Sequence, residues 1–183
     1  EVSLQSAKNV IDALDRQKYD IVLIGIDKSG KWNLNDESTY LQNENDPNKI
    51  ALGSSDTTLA LVPGQKDAEV ISLDSNRFHG KLDVVFPILH GPHGEDGTIQ
   101  GLLRLADIPF VGADVLGSAV GMDKDVMKRL LRDAGLPIGK FLTFQNHQRD
   151  EIRYQDVIAE LGSPVFVKPA NMGSSVGISK AAD

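Results

Sequence analysis

Apolar positions along this chain recur with two different periods, and the switch between them marks out the elements. Leu4, Ala7, Val10, Ile11 and Leu14 fall three or four residues apart, which predicts an amphipathic helix over 4–15. "YDIVLIGID" (19–27) is apolar almost without interruption, as suits a strand covered on both faces in a parallel sheet. Residues 28–80 are less regular: "SGKWNLND" and "NENDPNK" are rich in turn formers, and the β-prone pieces "TLALV" and "EVISL" stand among them, so an excursion of small strands is expected. The strand–helix alternation resumes with a strand over 83–89, a polar loop, a helix over 98–107 with Ile99, Leu102, Leu103 and Ala106 inward, and the strand "IPFVGA". The order predicts an α/β class with a doubly wound parallel sheet in the N-terminal part.

The character changes from "GSAVGMDKDVMKRLLRDAGLPIGKFLTF" onward. Asp123 can cap a helix carrying Val126, Met127, Leu130 and Leu131, and "AGLP" places Gly and Pro where that helix should stop. A strand "FLTF", a polar linker, a helix "YQDVIAEL", a strand "PVFVKPA", the turn "GSSVG" and the start of another strand follow. We therefore expect one domain over 1–120 and an α+β domain, incomplete, over 121–183. No repeat of fixed period and no low-complexity tract interrupts this reading.

Composition narrows the function classes. Nineteen basic against 26 acidic residues give a net charge of -7, and no Lys/Arg block stands out. A sequence-independent grip on nucleic acid or anionic lipid is not expected, so any cationic site must be local. The absence of cysteine excludes a disulfide framework and thiolate metal sites and fits a reducing, cytoplasmic compartment. The longest apolar stretches, "IVLIGI" and "VVFPIL", fall far short of the roughly 20 residues a membrane span needs. The chain opens without Met inside a helical pattern and halts after a strand-like run, from which a fragment of a longer chain is expected.

Three places carry chemistry. In "PVFVKPANMGSSVGISK", Lys168 is expected within an apolar strand, and five residues later a turn offers two glycines, two hydroxyls and several backbone N–H groups. Such a turn suits a polyphosphate, because glycine lets the backbone approach the oxygens and a lysine neutralises charge beside it. It is not a Walker pattern, and an ordinary β-hairpin with a snorkelling lysine has the same spacing. In "GMDKDVMK", Lys124 occupies the first turn of a helix, where a cation does nothing for the helix dipole but could serve a bound anion; a solvated lysine paired with Asp123 or Asp125 is the plainer reading.

The third place, "HGPHGEDGTIQG" (90–101), puts two imidazoles, two carboxylates and four glycines at the carboxyl end of a strand, the edge where open α/β sheets bind ligands. Asp96 is placed to cap the helix that follows, with Gly97 and Thr98 as alternative entry residues, and Glu95 is spaced to return toward His90 and fix its tautomer. His93 reads as an exposed loop residue. Capping plus solvation would account for the loop equally well.

Taken together, "HGPHGEDGTIQGLLRLADIPFVGADVLGSAVGMDKDVMKRLLRDAGLP" and "PVFVKPANMGSSVGISKA" closely resemble D-alanine–D-alanine ligases of the ATP-grasp superfamily, and "EVSLQSAKNV" resembles that family's first helix. The resemblance covers nearly the whole chain and keeps the motifs in family order. It implies an N-terminal, pre-ATP-grasp substrate domain, then the start of an ATP-grasp domain. It also implies ATP and Mg²⁺ (with Mn²⁺ as an alternative), D-alanine as substrate, a cytoplasmic homodimer, and a role in peptidoglycan synthesis and hence cell wall and cell shape. By motif, Lys124 and Lys168 would contact ATP phosphates and Phe166 the adenine. Gly173, Ser174, Ser175 and Val176 would cover the phosphates in a turn closed by Gly177, and Ser174 would join the hydrogen-bonded set that closes the site. His90, oriented by Glu95, would face the first D-alanine. Of the family's opening Ser-Ala-Glu-x-Glu-Val-Ser, only Glu1, Val2 and Ser3 remain, and the metal ligands and acceptor loop lie beyond the motifs present. These 183 residues alone are accordingly expected not to catalyse ligation. A D-alanine–D-lactate ligase, or a truncated nucleotide-binding module whose helix 4–15 and sheet edges serve assembly, are the competing expectations.

Overall fold

The computed structural model describes residues 2–46, 48–64, 69–74 and 78–182, so that Glu1 of the family-like opening lies outside the described residues. The chain divides into two units, one of Glu1–His90 with Thr98–Gly112 and one of Gly91–Gly97 with Ala113–Asp183.

In the first unit, the helical periodicity near the start becomes α1 (Val2–Ala13), which buries Ile11. Strand β1 (Leu23–Ile26) runs antiparallel to β2 (Trp32–Asn35), with Leu23 opposite Asn35 and Ile26 opposite Trp32. The turn between them explains the direction. Asp27 accepts the N–H of Ser29 at 2.8 Å, the Ser29 hydroxyl at 2.6 Å and the N–H of Lys31 at 3.0 Å, and Gly30 takes φ +85°. So short a connection reverses the chain, whereas parallel pairing requires a crossover of a dozen residues or more. The Ser29 hydroxyl, helped by the Lys31 amide, also holds the Asp27 carboxyl below the usual carboxylate range.

The excursion supplies a small pair, β3 (Leu41–Gln42) with β4 (Ala51–Leu52), then β5 (Thr58–Leu61), β6 (Glu69–Ser72) and β7 (Phe78–Lys81). The main sheet has the order β1-β2-β5-β6-β7, every pairing antiparallel. The mixed α/β character expected from the sequence is present, but the pairing differs from a doubly wound ladder. Among the described residues, parallel pairing in this unit is confined to the bridge of Val85 with Phe110, where Val85 N–H donates to Pro109 at 2.8 Å and Val111 N–H to Val85 at 2.9 Å. The segments 83–89 and 108–113, expected as strands, form no ladder and meet at that one bridge. Helix α2 (Thr98–Leu105) packs Ile99 and Leu103 with Ala106 and Ile108 beneath Trp32, Leu61, Val85, Leu89 and Phe110, and Leu103 is wholly buried.

The second unit begins its helices with α3 (Val115–Met122), capped by Asp114, whose carboxylate accepts the Val115 N–H at 2.7 Å. Helix α4 (Lys124–Asp133) follows directly. Asp123 caps it as the sequence suggests, accepting the N–H groups of Asp125 and Val126 at 3.0 Å each. A 3₁₀ turn (Asn146–Glu151) lies where only a polar linker was expected, and α5 (Tyr154–Leu161) ends at Gly162. Strand β8 (Val165–Val167) pairs antiparallel with β9 (Ser179–Ala181). "FLTF" (141–144) is not a strand: it has no ladder partner among the described residues and lies instead along α4. There Lys128 sits 4.8 Å over the Phe141 ring, and the Thr143 hydroxyl reaches Asp125 at 2.7 Å.

Candidate functional site

The residues singled out in the second unit come together around the connection from β8 to β9. Phe166 lies in β8, and Lys168 stands just past its end rather than inside it, as the sequence reading had it. The lysine is exposed, so no charge is buried there, and its ammonium lies 5.9 Å from the Phe166 ring centroid. Residues two apart on an extended chain share a face, which accounts for this pairing of ring and cation. Phe166 itself is 59 % exposed, an open apolar surface beside a positive charge.

Lys124 is fastened to the same connection from the helix side. Its backbone N–H donates to the Ala170 carbonyl at 3.0 Å, and its ammonium reaches the carbonyls of Ala170, at 3.4 Å, and of Met172. Its neighbour Asp123 accepts the Asn171 side-chain amide at 2.8 Å with the oxygen not used in capping α4. Two adjacent residues at the start of α4 therefore grip residues 170–172, immediately before the glycine–serine turn. The sequence alternative in which Lys124 pairs with Asp123 or Asp125 is not the arrangement observed: Asp123 serves the helix cap and Asn171, while Asp125 binds Arg129 at 2.8 Å and Thr143. Arg129 foremost, and then the Thr143 hydroxyl, hold the Asp125 carboxyl below its ordinary value.

In the turn itself, Val176 N–H closes on the Gly173 carbonyl at 3.0 Å, and Ser174 and Ser175 take φ of +49° and +61°. Two successive non-glycine residues in the left-handed region are uncommon and cluster at ligand clamps. Among the described residues, the N–H groups of Ser174, Ser175 and Gly177 and both serine hydroxyls donate to no protein acceptor, and Ser174, Ser175 and Val176 are exposed. Gly177, at φ +72°, is required twice over, since a Cβ there would also stand 2.9 Å from Pro169 Cγ.

His90 belongs to the first unit, where α1 holds it. The Ser6 hydroxyl is 2.9 Å from His90 Nε2, and Ser3 Oγ accepts the His90 N–H at 3.0 Å. Neither serine was singled out as a site residue from the sequence, because 84 and 87 positions separate them from the histidine. In the second unit the Glu95 carboxylate accepts the Gly91 N–H at 2.6 Å, and Asp96 accepts that of His93 at 2.8 Å. Both acids thus shape the loop 91–97. Gly97, at φ +94°, leaves no room for a side chain, because a Cβ would meet the Val115 carbonyl at 2.7 Å.

An apolar ring beside a cation, a second cation anchored at the foot of a turn, and unengaged amides and hydroxyls at its tip together form a set of donors that could receive an anion. Comparison with known proteins gives the family. The model for the D-ala D-ala ligase N-terminus matches residues 1–113 and that for the D-ala D-ala ligase C-terminus matches residues 130–183. D-alanine–D-alanine ligase A of Escherichia coli K12 is 56 % identical over 180 residues, 98 % of this chain and 50 % of the relative. The D-alanine–D-alanine ligase of Oceanobacillus iheyensis is 52 % identical over 180 residues, 98 % of this chain and 49 % of the relative. Among solved structures, the D-alanine-D-alanine ligase of Coxiella burnetii superposes with a TM-score of 0.83 at 36 % identity, covering 100 % of this chain and 52 % of that one. The VanG D-Ala:D-Ser ligase of Enterococcus faecalis does so with a TM-score of 0.80 at 36 % identity, covering 100 % and 51 %. The chain belongs to the D-alanine–D-alanine ligase family, with its N-terminal domain and part of its ATP-grasp fold, and spans about half the length of the curated relatives it matches.

Proposed function

We propose that this chain carries the nucleotide-phosphate and first-substrate parts of an ATP-dependent, ADP-forming ligase that joins two D-alanine molecules through a D-alanyl phosphate. The observation that supports it most is the fastening of Lys124 to the carbonyls of Ala170 and Met172, beside a turn whose amides and hydroxyls are unengaged. In this reading residues 1–120 form the substrate domain and 121–183 the beginning of the central domain.

The chemistry explains the need for such a site. A carboxylate oxygen of the first D-alanine must attack the γ-phosphorus of ATP, so an anion approaches an anion while the bond to the β-phosphate oxygen breaks. Lys124, Lys168 and the amides of Ser174, Ser175 and Gly177 would balance that charge without reorganising. Phe166 offers a face for adenine, with Lys168 beside it. Gly173, Ser174, Ser175 and Val176 would close over the phosphates, and Ser174 would join the hydrogen bonds that exclude water, since an acyl phosphate is lost to hydrolysis if water enters. The amine of the second D-alanine then attacks the carbonyl carbon, phosphate departs with the C–O bond pair, and the ammonium proton is released. His90, with Glu95, would meet the first D-alanine at its carboxylate.

Mg²⁺, or Mn²⁺ in its place, would screen the transferring phosphoryl group. Among the described residues no three His, Asp or Glu side chains converge as metal ligands would, and we assign none of them to the metal. The dipeptide product points to peptidoglycan synthesis, and a cytoplasmic homodimer that binds neither nucleic acid nor membrane completes the reading; no described helix is long and apolar enough to cross a bilayer. The D-alanine–D-lactate and non-catalytic alternatives are not favoured, because the close relatives are named D-alanine–D-alanine ligases. The natural full-length protein, given ATP, Mg²⁺ and D-alanine, is expected to release phosphate and form dipeptide, and L-alanine should support far less. Equal phosphate release with L-alanine, or none with either, would reject the proposal.

A further inference from the structure

Helix α1 meets the end of the 83–90 segment through two hydroxyls spaced one turn apart. Ser3 and Ser6 lie on the same helix face, and both engage the same residue: Ser3 Oγ accepts the His90 main-chain N–H at 3.0 Å, and Ser6 Oγ lies 2.9 Å from His90 Nε2. Each bond has a separate consequence. The first satisfies a backbone donor that leaves the strand edge with no ladder partner and fixes the Cα from which the imidazole projects. The second engages one ring nitrogen, which restricts rotation of the ring and ties the proton at Nε2 to the orientation of a hydroxyl.

We infer that Ser6 is a positioning residue for His90, holding the exposed imidazole in one orientation through Nε2, and that Ser3 fixes the main chain beneath it. What the held ring acts upon rests on the proposed ligation, in which His90 meets the first D-alanine. The clamp itself does not depend on that reading. A bond that restricts an exposed imidazole lowers the entropy of ordering it that would otherwise fall on substrate binding. Helix α1 pre-orders it, so the effect belongs in the affinity for D-alanine and not for nucleotide.

The test uses the natural full-length protein labelled with ¹⁵N at histidine, with His90→Gln to assign the ring resonances. Ser6→Ala is expected to move the Nε2 resonance of His90 while leaving those of His93 and His147 in place, and Ser6→Thr, which keeps the hydroxyl, should restore it. In the same protein Ser6→Ala should raise KM for the first D-alanine about two- to tenfold, the loss of one ordinary hydrogen bond, with KM for ATP unchanged and Ser6→Thr recovering. An unmoved Nε2 resonance, or equal rises in both KM values that Ser6→Thr does not recover, would overturn the inference. If the unmutated protein forms no dipeptide, the ligation reading falls alone, and the ring resonance still decides whether Ser6 holds His90.

Discussion

Lys168 shows how far a single position could be read. A lysine after an apolar run and before a glycine–serine turn suggests a phosphate contact, and the structure sets its ammonium over Phe166 with no carboxylate partner among the described residues. Removing it should therefore expose little else. Lys168→Ala in the full-length protein is expected to weaken ATP binding by about 1–3 kcal/mol, the worth of one charge-assisted contact, measured by calorimetry. Unchanged affinity would leave the lysine as a snorkelling side chain. Lys124 was legible only in part. Its place in the first turn of α4 could be read directly, but its grip on the Ala170 and Met172 carbonyls spans 46 and 48 positions. Ser6 is the extreme case, since a hydroxyl on a half-buried helix face carries no local signal of a histidine so far along the chain.

At the scale of elements, helices were easier to read than strands for a physical reason. A helix closes its hydrogen bonds within itself, so the spacing of apolar residues in 4–15 and the capping aspartate before Lys124 were sufficient. A strand's partner lies elsewhere. "FLTF" has the composition of a strand but packs along α4, and "YDIVLIGID" has the apolar run of a parallel strand but pairs antiparallel because the Asp27 turn reverses it at once. Helix α3 went unseen because Gly117 and Gly121 dilute its pattern. Asp125 is one of the α4 residues that hold 139–144, binding Arg129 within the helix and Thr143 beyond it. Its carboxyl is held below the ordinary value of 3.8. A depressed folded-state value adds stability above the unfolded pKa, and the contribution is lost as pH falls through the folded one. Asp125→Asn should accordingly lower the urea midpoint at neutral pH, and the gap from the parent should close below about pH 4. A gap independent of pH would show that the charge has no part in holding 139–144.

For the whole molecule, family membership was legible because several weak motifs stand in one order, each constrained by a different physical demand. Gly97 must admit the Val115 carbonyl, Gly177 must admit Pro169, Asp123 must cap α4 and hold Asn171, and Lys124 must reach the connection before the turn. No one of these names a reaction. Their joint occurrence in one unit assembles cations and free amides where a triphosphate could lie, and the proposed ligation rests on that assembly. The most direct measurement is a crystal structure of the natural full-length protein with a non-hydrolysable ATP analogue. The account predicts the triphosphate against Lys124, Lys168 and the amides of Ser174 and Ser175, with adenine on Phe166. A triphosphate bound elsewhere, with both lysines and the serine turn facing solvent, would contradict it.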